Sequence, residues 1–76
     1  MTIYELGKEL KKMYNNAPTG YQVANIHFFG VVYAEIINEN NYRISEIVDA
    51  AGINKSYTTE VSKGIKLSRY VVPKEY

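Results

Sequence analysis

Apolar residues recur at helical spacing along most of this chain. Ile3, Leu6, Leu10 and Met13 form one stripe, with Lys8, Lys11 and Lys12 largely on other faces. Thr2-Ile3-Tyr4-Glu5 at its head has the form of a capping box, in which hydroxyl and carboxylate each satisfy a free backbone N–H. The pattern predicts a helix running to about Asn15, ended by Asn-Asn-Ala-Pro-Thr-Gly at 15–20. A second stripe, Phe29, Val32, Tyr33, Ile36 and Ile37, follows the i, i+3, i+4, i+7, i+8 rule. The preceding residues, 23–28, read either as helix or as a brief alternating strand. Gly30 lies between the halves and weakens a continuous helix by about 1 kcal/mol relative to alanine. The expectation is a second helix bent or interrupted near Gly30, followed by a polar connection at 39–42.

The segment from Ile44 to Gly64 reads as two short helices meeting at a glycine corner. Ser45 is the expected N-cap of the first, with Glu46 just inside it, where the helix dipole favours a carboxylate. Ile47, Val48 and Ala51 make its inward face. Gly52 stops it, and Ile53 fills the angle between the helices. Asn54 caps the second, whose inward residues are Thr58 and Val61, and Gly64 ends it with a left-handed residue. The remaining stretch, 65–76, is expected to be an extended arm docked by Leu67, Tyr70 and Val71. No repeat, low-complexity tract or linker divides the chain, so residues 1–76 are expected to form a single domain. Together these elements predict an all-α fold: a small bundle of about four helices with a short extended C-terminal tail.

The run 44–64 resembles the helix-turn-helix of phage-repressor-type regulators. Ala51-Gly52-Ile53 is similar to that family's turn, and Asn54-Lys55-Ser56-Tyr57 to the polar start of its recognition helix. Glu60 followed by Gly64 is similar to its closing acid and glycine. Two positions depart from the pattern. Val48 stands where the family usually has alanine, and Thr58 where it usually has isoleucine or valine, an exchange that roughly keeps total volume. The chain as a whole also resembles short bacterial proteins described only as having a helix-turn-helix-like domain. The resemblance implies that a helix at 55–63 enters the major groove of double-stranded DNA. Lys55, Ser56, Thr59 and Lys63 would then face the DNA, and Asn54 and Tyr57 would approach phosphates. Lys66 and Arg69 would clamp the flanking backbone.

Composition adjusts this picture only at its edges. Seventy-six residues with 46% apolar content make one small globule; chains near this length bury only about 60% of their unfolded surface. Cysteine is absent, so neither disulfides nor thiolate metal sites are available. The longest apolar stretch, 28–34, is far short of the ~20 residues that span a bilayer. A soluble cytoplasmic protein with no membrane association is the expectation. The net charge of +1 is small for a nucleic-acid binder, but its distribution is uneven. Residues 1–52 carry four cations and six acids, a net −2. Beyond Gly52, Lys55, Lys63, Lys66, Arg69 and Lys74 oppose Glu60 and Glu75, a net +3.

Candidate chemistry is sparse. His27 is the only histidine, and with no thiolate or second imidazole beside it a metal site lacks ligands, so a core-edge structural role is expected. Glu35 and Glu39 read as a solvated helix face, and no phosphate-binding loop or dinucleotide fingerprint is present. Neither catalysis nor a cofactor is expected. Among the eight tyrosines, Tyr4, Tyr33 and Tyr70 are expected at the core edge, and Tyr42, Tyr57 and Tyr76 at the surface. The leading functional reading is a DNA-binding helix-turn-helix protein, a small transcriptional regulator. The recognition helix has no arginine, the side chain that makes the commonest specific base contact, which weighs against strong base reading. The alternative is a non-enzymatic interaction module that keeps the motif only as a scaffold. It would bind a protein partner, or itself as a homodimer, through the apolar second helix and the tyrosine-bearing tail.

Overall fold

The computed structural model describes residues 1–74. Among these the fold is all-α: α1 (Ile3–Asn15), α2 (Gln22–Glu39), α3 (Ile44–Ala51) and α4 (Tyr57–Leu67). The expected exposure of Tyr76 lies outside the described residues. Leu6, Leu10, Ile26, Phe29, Ile47, Val48 and Val61 are fully buried and draw all four helices around one core. The most extensive packing joins α2 to α4, followed by α1 to α3.

α1 begins as its sequence predicts. Thr2 Oγ1 accepts from the Glu5 N–H at 3.1 Å, and Glu5 Oε1 accepts from the Thr2 N–H at 2.8 Å. That return bond holds the Glu5 carboxyl below its usual range, with the Thr2 backbone N–H the larger cause and its hydroxyl the next.

α2 differs from the expectation at its middle. It is one continuous helix of 18 residues, with no interruption at Gly30, and residues 23–28 are helical. Gly30 serves close approach instead. A Cβ there would stand 2.7 Å from both the Val61 carbonyl oxygen and the Ile65 nitrogen, so only glycine lets α4 lie this near. The helix ends at Glu39, and Asn41 just beyond it takes φ +54°, a left-handed conformation that asparagine tolerates.

The corner between α3 and α4 forms as read, with three local corrections. α3 starts at Ile44, and its N-cap is Arg43, which makes no side-chain capping bond; Ser45 is already inside the first turn. Gly52 then closes α3 with φ +71°. Asn54 does not cap α4 directly. Its Oδ1 accepts from the Ser56 N–H at 2.9 Å, making a side-chain turn one step ahead of the helix. The third correction is at Gly64, which does not end α4. It lies buried within the helix, and a Cβ there would overlap the His27 carbonyl oxygen of α2. Gly30 and Gly64 thus open one crossing from both sides. Ile53 packs against the core, Val48 is fully buried and Thr58 is half-buried.

The tail also departs from expectation. Residues 65–67 extend α4, and Ile65 is the residue that reaches the core. Leu67, Tyr70 and Val71 are 44%, 75% and 42% exposed, so they do not anchor an arm. Tyrosine placement is corrected in both directions. Tyr33 lies at the core edge, as expected, but Tyr4 and Tyr70 are exposed. Tyr42 and Tyr57 are half-buried against the core, and the Tyr42 hydroxyl donates to the Met1 carbonyl at 2.6 Å. No helix among the described residues is long and apolar enough to cross a membrane.

Candidate nucleic-acid interface

α4 buries one side and leaves the other bare. Val61 and Gly64 face inward, while Thr59, Lys63 and Lys66 are exposed. At 3.6 residues per turn these three share a single stripe. With a rise of 1.5 Å per residue the stripe extends about 10 Å along the axis. Lys55 and Ser56 lie in the turn ahead of α4, both exposed. Arg69 is exposed in the turn behind it and borders a shallow groove with Lys66, Asn38 and Tyr70. The helix itself spans 57–67 and not 55–63, so Lys55 precedes it while Lys66 belongs to it.

Tyr57 and Asn54 sit differently from the lysines. Tyr57 opens α4 but turns toward α1, where its ring centroid lies 5.4 Å from that of Tyr14 and the two hydroxyls are 3.5 Å apart. The bond to Tyr14 pushes the Tyr57 phenol above its usual value. Asn54 is exposed, and its side-chain oxygen is engaged by Ser56.

One polar contact behind the exposed stripe has no counterpart in the sequence reading. His27 Nε2 of α2 lies 2.7 Å from Glu60 Oε1 of α4, and Glu60 Oε2 lies 3.5 Å from Lys63 Nζ. The glycine crossing brings this about, because His27 is one turn before Gly30 and Glu60 one turn before Gly64. Glu60 is held below the usual carboxylate range, first by the hydrogen bond from His27 and further by the Lys63 charge. No local signal links a histidine and a glutamate 33 residues apart, so only the packing of α2 on α4 discloses the pair.

Among the described residues no group of three or more histidine or acidic side chains could hold a metal ion. The arrangement offers cations and hydroxyls on a convex helix face, with the one acid of α4 drawn toward α2. Such a surface has the chemistry for contact with a polyanion.

No curated protein and no solved structure matches the chain. A family model described as an HTH-like domain matches residues 2–74. That match supports a helix-turn-helix domain without singling out the phage-repressor type. A glycine corner between two short helices, inside a match covering nearly the whole sequence, establishes that the chain belongs to the HTH-like domain family.

Proposed function

We propose that this protein is a small DNA-binding regulator that places the exposed side of α4 in the major groove. Membership of a helix-turn-helix family supports a DNA-binding, regulatory role in general terms. The observation that carries the finer reading is the stripe of Thr59, Lys63 and Lys66, flanked by Lys55 and Arg69, opposite the buried side of α4. In this reading Lys63 and Lys66 contact phosphates, Thr59 and Ser56 contact sugar-phosphate or base edges, and Lys55 leads the helix into the groove. Asn54 presents its amide nitrogen to the backbone, and Tyr57 supports the head of α4 from behind through Tyr14. Arg69 clamps the flanking strand. Lysine predominates over arginine, so phosphate attraction outweighs base discrimination.

Titration of labelled duplex DNA at low salt, with amide shifts mapped residue by residue, tests the assignment. Perturbation centred on residues 54–66 is expected. The double substitution Lys55→Glu, Lys63→Glu should abolish binding with little change in melting temperature, because both side chains are exposed. Binding that survives it would remove the α4 assignment.

A second reading rests on a different observation. Exposed Leu67, Tyr70, Val71 and Val72 gather at the C-terminal end, and three of them line a groove with Phe28 and Val31 of α2. An apolar concentration of this kind favours an interaction module that binds a second copy of the chain or another protein. Silence at 54–66 on adding DNA, with shifts on α2 and the tail as protein concentration rises, would favour it.

A further inference from the structure

We propose that His27 is a positioning residue whose protonation strengthens binding of duplex DNA, by taking over the Glu60 charge and freeing Lys63; this rests on the DNA reading of α4. The contact is direct, at 2.7 Å from His27 Nε2 to Glu60 Oε1, while Lys63 holds the other carboxylate oxygen more loosely, at 3.5 Å. The Gly30–Gly64 crossing fixes this spacing, because the two backbones touch one turn further along each helix.

The charge arithmetic gives the direction. Glu60 is the only acid between Gly52 and Lys74, and it sits beside a stripe that would approach phosphates. When His27 is neutral it donates one hydrogen bond, the carboxylate keeps its full charge, and Lys63 is its nearest cation. When His27 is protonated it forms a charge-assisted pair with Glu60, and the Lys63 ammonium is released toward solvent. The face then gains one unit of positive charge. Among the described residues the charged groups facing His27 are Glu60 and, beyond it, Lys63, both on α4. Leu67, Val71 and Val72 of α4 and the tail line the groove beside His27 with apolar side chains. His27 is also the chain's single histidine, the side-chain class that ordinarily changes charge between pH 5 and 8. Any step in DNA affinity across that range therefore has one main side-chain candidate. The lowered carboxyl of Glu60 agrees with the geometry, since it remains ionised to receive the proton-bearing ring.

The sign follows from linkage: a proton that favours the bound state makes DNA bind more tightly as pH falls, and DNA in turn makes the proton harder to remove. One unit charge about 8 Å from a phosphate, in solvent-like dielectric, corresponds to a gain of about twofold.

The test is fluorescence anisotropy of a labelled duplex at pH 5.5 and 8.0, at constant ionic strength, on the full chain. Wild type is expected to bind about twofold more tightly at the lower pH. His27→Gln, which can still donate to Glu60 but cannot become charged, should bind equally at both. Glu60→Gln, which leaves Lys63 free at either pH, should bind more tightly than wild type at pH 8.0 and show a smaller step, a change that a merely structural role would not produce. In parallel, the His27 ring-proton titration followed by NMR should move to higher pH when duplex is added. Wild-type binding without a pH step, or a full step retained by His27→Gln, overturns the proposal while leaving the DNA reading intact. Absence of duplex binding at both pH values overturns the DNA reading and this proposal with it.

Discussion

A methyl group added at position 64 would run into the His27 carbonyl, with backbone on every near side and no flexible side chain to yield. The same methyl at position 52 would meet open space but would have to adopt φ +71°. These are different penalties. Overpacking costs about 1–3 kcal/mol, and the better helix propensity of alanine offsets about 1 kcal/mol of it. Left-handed strain costs roughly 1–2 kcal/mol with nothing to offset it. Urea denaturation should therefore show both Gly64→Ala and Gly52→Ala destabilised, but only Gly64→Ala should disturb the His27 and Glu60 side-chain resonances. An undisturbed pair in Gly64→Ala would mean that the two helices lie farther apart than this crossing requires.

At the scale of the helices, α3 has the weakest start. Arg43 occupies the N-cap with extended backbone angles suited to a capping side chain, yet it supplies no acceptor to the free N–H groups. Arg43→Asp supplies one, and also places a carboxylate where the helix dipole favours it. The expected gain is about 0.5–1 kcal/mol, read as a higher urea midpoint; a loss would place the start of α3 elsewhere. This position also shows where a local sequence signal misleads. The α1 cap was legible because Thr2 and Glu5 act within one turn. The α3 cap was misplaced at Ser45 because a better capping residue stood two positions inside the true boundary. Gly30 and Gly64 were misread for a deeper reason. Each alone looks like a helix breaker, and only their contact, across 34 residues of chain, explains both. The exposed face was legible in part: helix arithmetic places Thr59 and Lys63 together, but reading Gly64 as the helix end left Lys66 in the tail, and only α4 running on to Leu67 brings it onto the same stripe. The inward turn of Tyr57 was not, because it depends on Tyr14, 43 residues away.

For the molecule as a whole, charge is nearly balanced, so the DNA reading requires attraction to come from the arrangement of charge and not its total. Counterion release then gives the size of the effect. About four phosphate contacts from one copy correspond to a slope of log affinity against log salt of about −3 to −4, and two copies would double it. A slope near zero would remove phosphate contact from the account. The expected affinity of a single copy is weak, in keeping with a face built mainly from lysine. The Gly30–Gly64 contact bears on any attempt to retarget such a face. With no side chain interposed at this point, α4 inherits its tilt from α2. Transplanting α4 alone from a relative would seat it on a foreign α2, so the unit to move is the helix pair.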